Sequence, residues 1–226
     1  MKRIREDREA GLTLVEVMVS LAIFSILMAA VATLLIFGLR SMFDASTANS
    51  VQAQQQNALA SMSRLIRFID HPTGDPNPDP AVISATSDSL AFFTWGAAGA
   101  VDRAPTKVLL CVAEDGLVEI TWPPVVSATG TPEPGYPDLS APSCADATGV
   151  RRVLVPAGDD GAPSVDFTYW RNRTASDDAG DGPIEVVPTG ALTPEQLADV
   201  DAIKVSITDT RLAAPVEQSI ALVNLP

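Results

Sequence analysis

Residues 11–16 read Gly11-Leu12-Thr13-Leu14-Val15-Glu16, and the next 23 residues, from Val17 to Leu39, carry no charge at all. About 20 predominantly apolar residues suffice for a helix to cross the hydrocarbon core of a bilayer, so this run is long enough to span one. Glu16, at its threshold, is the informative exception. A carboxylate within a spanning helix costs about 2.5–3.5 kcal/mol at the helix centre on insertion scales, and a charge kept at the edge of such a run calls for a partner.

Three ordinary explanations compete for this segment. A cleaved secretory signal has an apolar core of about 7–15 residues before a small-residue site, and Ala30-Val31-Ala32 offers such a site. Yet the apolar pattern runs on through Leu34, Leu35, Ile36 and Phe37. An uncleaved signal anchor accommodates the length but gives no role to Gly11 or Glu16. A buried core helix fits poorly, because a helix of a globular domain keeps a polar face.

The register of these residues resembles the type IV prepilin signature: a short charged leader, Met1 to Gly11, then a hydrophobic new N-terminus, Leu12, and a Glu at the fifth mature position, Glu16. The resemblance implies cleavage after Gly11 by a dedicated prepilin peptidase, N-methylation of Leu12, and pairing of Glu16 with the N-terminal amine of a neighbouring subunit during filament assembly. The implied partners are that peptidase, other pilins or pseudopilins contacted through the N-terminal helix, and the membrane.

Basic residues are retained on the cytoplasmic side of a span. Lys2, Arg3, Arg5 and Arg8 precede the run, which places the N-terminus in the cytoplasm and residues 41–226 outside, first at the inner or cytoplasmic membrane and then in a filament or at the cell surface.

Composition changes at residue 71. All 18 prolines lie at Pro72 or beyond, and residues 12–70 hold a single glycine, Gly38. One helix can therefore run from the apolar segment to residue 70, roughly 88 Å at 1.5 Å per residue. In its second half Val51, Ala58, Leu59, Met62, Leu65, Ile66 and Ile69 recur at helical spacing, with Gln52, Gln55, Gln56, Asn57, Arg64 and Arg67 on the other positions. Many pilins have a proline about 22 residues into the mature helix. This chain has Thr33 there, leaving Gly38 as the intrinsic weak point.

Beyond Pro72 the pattern is of short strands between breakers, at 89–95, 107–113, 116–122, 150–155, 164–170, 202–208 and 216–223. Asp115-Gly116 predicts a tight hairpin turn, since Gly accepts positive φ. Thr193-Pro194-Glu195-Gln196 has the form of a capping box and predicts a short helix through about Val200. The expected fold is α+β and pilin-like: a leader over 1–11, a transmembrane and assembly helix over 12–40, its amphipathic continuation over 41–70, and an extracytoplasmic antiparallel β-sheet head over 71–226. This order, with Ala58-Leu59, Met62 through Arg67 and Phe167-Thr168-Tyr169-Trp170, is similar to large minor pilins and to J-type minor pseudopilins of type II secretion.

Cys111 and Cys144 are the only cysteines. In an exported head they are expected to form a disulfide, two free thiols being the alternative. Two cysteines and one histidine cannot furnish an ordinary structural zinc site. Neither a nucleophile elbow, a zinc-protease helix nor a phosphate-binding loop occurs, so no catalytic residue, cofactor or small-molecule substrate is expected. His71 suits the end of the helix, and Asp177, Asp178 and Asp181 fail the spacing of a calcium loop. Residues 41–226 contain 10 Lys or Arg against 24 Asp or Glu. That excess of negative charge repels nucleic acid, and no nucleic-acid partner is expected. The reading from sequence is thus a minor pilin or pseudopilin, an initiating, structural or tip subunit. The alternative is a bitopic, membrane-anchored extracellular binding or sensing protein that does not polymerise.

Overall fold

A computed structural model describes residues 13–70, 81–97, 105–122, 124, 144, 149–158, 161–172, 182–187, 190–193, 196–197 and 199–222. The proline-free, nearly glycine-free stretch forms one continuous helix, α1 (Leu14–Arg67), of 54 residues. The chain falls into two compact units, one ending at Asn49 and the other beginning at Ser50.

In the second unit the helical period sets what is buried. Val51, Ala58, Leu59, Met62, Leu65 and Ile66 all lie inside, and Ile69 follows just past the helix end. Their spacing of three, four and seven puts them on one face. Gln55, expected among the polar positions, is instead fully buried on that same face.

The strands divide between two antiparallel sheets. The first is a meander of β1 (Val82–Ala85), β2 (Ser89–Thr94), β3 (Thr106–Ala113), β4 (Gly116–Trp122) and β5 (Val150–Pro156), in that spatial order. The second holds β6 (Ser164–Arg171), β7 (Ile184–Val186), β8 (Ala202–Thr208) and β9 (Val216–Ala221), in the order β7-β6-β8-β9. A single sheet was expected; the split arises because β5 ends the first ladder and β6 pairs with β8 rather than with β5. A main-chain bond from the Phe167 N–H to the Ser87 carbonyl, 2.8 Å, ties the two sheets together.

Alternation then builds the core. Leu90, Phe92, Val108, Leu110, Leu117 and Val155 from the first sheet meet Val165, Phe167, Tyr169, Ile203, Val205, Ile207 and Ile220 from the second, together with Met62, Leu65 and Ile66 of α1. The opposite face of the first sheet is buried as well, around Leu109, Cys111, Val118, Ile120 and Trp122. Polar groups fasten α1 to both sheets. The Thr94 hydroxyl donates to the Leu65 carbonyl at 2.7 Å, Arg152 pairs with the buried Glu119 and donates to the Ser61 hydroxyl at 2.6 Å, and the Gln218 amide reaches the Ser63 hydroxyl.

The β3–β4 turn differs by one residue from its sequence reading. Ala113 pairs with Gly116, so Glu114 and Asp115 form the turn and Gly116 opens β4 with φ of +131°. The positive φ is where expected, but it serves a close approach of β5 as well as the turn. The capping box holds: the Gln196 side chain accepts from the Thr193 N–H at 2.9 Å and the Thr193 hydroxyl accepts from the Gln196 N–H at 3.3 Å, with residues 196–197 helical.

Asp209, which follows β8, is 5% exposed and ion-paired with Arg211. The guanidinium also donates to the Pro156 carbonyl, linking the two sheets. Hydrogen bonds from Arg211 are the main reason the Asp209 carboxyl is held below its usual range; burial opposes them, and the Gln55 amide contributes least, approaching without closing a bond of good geometry. A depressed folded-state value means that this pair's stabilisation is present above the unfolded value, about 3.9, and is lost as pH falls through the lower folded one. Asp209→Asn is expected to cost about 1.5–3 kcal/mol at neutral pH, the range for a hydrogen bond to a charged group. Urea unfolding followed below pH 4 should find the gap between the two proteins narrowing, and a pH-independent gap would refute this role.

Candidate assembly site on the N-terminal helix

The first unit exposes what the second buries. Every residue from Thr13 to Thr47 is exposed, including Leu14 (76%), Phe37 (73%), Met42 and Phe43. The helix is long and apolar enough to cross a membrane. Two of its polar side chains are satisfied within it: the Ser25 hydroxyl donates to the Ala22 carbonyl and that of Thr33 to the Ala29 carbonyl, both at 2.8 Å. Such back-bonding spares a hydroxyl the cost of entering hydrocarbon unpaired. Gly38 lies within the helix, and among the described residues nothing stands within 4 Å of the place its Cβ would occupy.

Thr13 starts the helix. Its hydroxyl accepts from the Glu16 N–H at 3.3 Å, and its carbonyl accepts from the Glu16 and Val17 N–H groups at 3.0 and 3.2 Å. This is N-cap behaviour, and the sequence reading missed it. The signal was present in Thr13-Leu14-Val15-Glu16, the Thr-x-x-Glu spacing of a capping box. Glu16 consequently sits in the first helical turn, where the positive end of the helix dipole favours an anion. Among the described residues its carboxylate has no cationic partner. Gly11 and Leu12, the positions expected for cleavage and methylation, lie outside the described residues, as do His71 and Asp177, Asp178 and Asp181.

In the head, Cys111 and Cys144 form a disulfide with a Cα–Cα separation of 6.0 Å. The bond lands on the outer face of the first sheet, beside Leu109, Val118 and Ile120. Arg151 supports the same spot, pairing with Asp115 and donating to the Cys144 carbonyl at 3.3 Å. The Arg151 hydrogen bond is also the main reason the Asp115 carboxyl is held below its usual range. Among the described residues no cluster of three or more His, Cys, Asp or Glu is arranged to hold a metal.

Comparison with known families finds the prokaryotic N-terminal methylation motif over residues 7–32. No curated protein matches the chain significantly. The matched span contains Gly11, Leu12, the Thr13 cap and Glu16, and it extends across most of the exposed apolar helix. Residues 7–32 thus carry the motif of a type IV prepilin-like precursor, on a helix suited to membrane anchoring.

Proposed function

We propose that this chain is a minor pilin or pseudopilin, a non-enzymatic subunit of a type IV pilus or a type II secretion-like filament. A prepilin peptidase removes residues 1–11 and the Leu12 amine is methylated. The protein then waits as a single-pass membrane subunit, its head outside, until it enters a filament and its apolar helix packs against those of its neighbours.

The observation that carries this reading is the methylation motif at residues 7–32 lying in register with a Glu in the first turn of an exposed apolar helix. In the membrane the helix faces lipid, and in a filament it faces other helices. Either environment removes its side chains from water. Glu16 is the residue for which the two environments differ most, because a neighbouring amine can neutralise it. Co-production with a prepilin peptidase tests the proposal: the chain should lose its 11-residue leader. Full-length protein after that treatment would instead favour a bitopic anchor.

A further inference from the structure

The outward face of the second sheet departs from its own pattern at one end. Along β6, β8 and β9 the inward residues Phe167, Val205 and Ile220 are buried, while the alternate positions facing water are polar, as at Asp166, Ser206 and Glu217. At the end of the sheet the alternation continues in direction but not in chemistry: Trp170 of β6 pairs with Ala202 of β8, and Ala202 with Ala221 of β9. One large aromatic thus stands beside two methyl-sized neighbours on a face that is otherwise hydrophilic. The result is a concavity of about 510 Å³, within the range of small-ligand sites, about 300–1,000 Å³.

The rim is polar. Asp201 is fixed there, one carboxylate oxygen accepting the Asn172 N–H at 2.6 Å and its own N–H donating to the Trp170 carbonyl at 2.8 Å. Asn172 and Ser219 stand exposed at the same opening. Among the described residues the second Asp201 oxygen carries no hydrogen bond. An acceptor, an amide and a hydroxyl therefore surround a half-buried indole.

From this juxtaposition we propose that the Trp170 groove binds a neutral saccharide, one or two hexose rings of a glycan. A pyranose presents a face of C–H groups, which packs on the electron-rich face of an indole, and equatorial hydroxyls, which suit carboxylate, amide and hydroxyl partners. Other ligand classes fit less well. Among the described residues anions meet one cation at the groove, Arg171, against Asp201 and the neighbouring Glu185, on a strongly acidic head. A quaternary ammonium wants several aromatic walls, and among the described residues Trp170 is the only aromatic lining the groove. A proline-rich peptide likewise docks on paired aromatics. The role is binding, with no bond made or broken, and it holds whether or not the chain polymerises.

The test is a titration of the full chain, in micelles of a detergent without a sugar headgroup, with cellobiose, maltose, N,N′-diacetylchitobiose and mannobiose up to about 10 mM, a range that captures millimolar affinity. The three tryptophan indoles, Trp95, Trp122 and Trp170, serve as separate nuclear magnetic resonance probes. At least one disaccharide should shift the Trp170 indole saturably and leave Trp95 and Trp122 in place. Trp170→Ala should abolish binding, and Ala221→Leu, which fills the groove without removing the indole, should weaken it at least fivefold with all three indoles still dispersed. Absence of a saturable Trp170 shift with all four sugars, or a shift that survives Ala221→Leu undiminished, overturns the proposal. So does a Trp170 response confined to a polyproline peptide or to increasing protein concentration.

Discussion

Glu16→Ala is expected to insert into the membrane as well as the native chain and yet to be recovered with its filament partners at less than about a tenth of the native level. The two halves of this expectation have different physical origins. Removing a carboxylate from the edge of a spanning helix relieves an insertion cost of up to about 3 kcal/mol, so anchoring cannot suffer. Removing one member of a buried ion pair costs about 3–5 kcal/mol, and every 1.4 kcal/mol is tenfold in an association constant.

The competing explanation is local. Glu16 lies in the first turn of α1, behind the Thr13 cap, where an acidic residue contributes only about 0.3–1 kcal/mol through the helix dipole. Were that its whole role, incorporation would fall by less than about fivefold. Glu16→Gln separates the cases further, since it preserves size and hydrogen bonding but removes the charge. Partner recovery by affinity capture from detergent extracts should therefore be low for both variants. Near-native recovery of either would remove ion pairing from the account.

The second large effect is expected at Gly116, where substitution by Ala should destabilise the head by about 3 kcal/mol or more, a large share of a typical domain's 5–15 kcal/mol. Two penalties coincide there. The backbone φ of +131° disfavours any side chain, and a Cβ would stand 2.1 Å from the Val155 carbonyl oxygen and 2.9 Å from the Ala157 nitrogen. Both atoms are main chain, Val155 within β5, the strand paired with β4, and Ala157 just past its end, so relief requires the ladder to move. Gly161 provides the control: its φ is +114°, but among the described residues nothing lies within 4 Å of its Cβ position. Gly161→Ala should show the conformational penalty alone, about 1–3 kcal/mol at a strained position. Chemical denaturation of the two variants measures the difference, and equal losses would show that the close approach at Gly116 has no energetic weight.

Much of the head was legible because its elements are long relative to the signal that marks them. Seven strands of six to eight residues could be read from alternation and from the breakers around them. β1 and β7, with four and three residues, could not. They are edge strands defined by pairing with β2 and β6, and so short a segment holds no period of its own. The division into two sheets was hidden for a related reason, since which strand pairs with which is decided by contacts far apart in sequence. Gln55 shows the limit of polarity as a guide: it keeps the three- and four-residue spacing to Val51, Ala58 and Leu59, and periodicity alone would have placed it inside. At the helix start the charge of Glu16 stands out in the sequence, whereas the Thr13 cap that holds the turn is marked only by the Thr-x-x-Glu spacing. The groove at Trp170 became visible only with the register, which sets Ala202 and Ala221 beside the indole.

Intact-mass and N-terminal fragmentation analysis of the protein extracted from native membranes tests the central claim most directly. The expected chain begins at an N-methylated Leu12 and continues Thr13-Leu14-Val15-Glu16. A chain that still begins at Met1, or one that begins after Ala32, would contradict it, the first by leaving a static anchor and the second by removing the assembly helix.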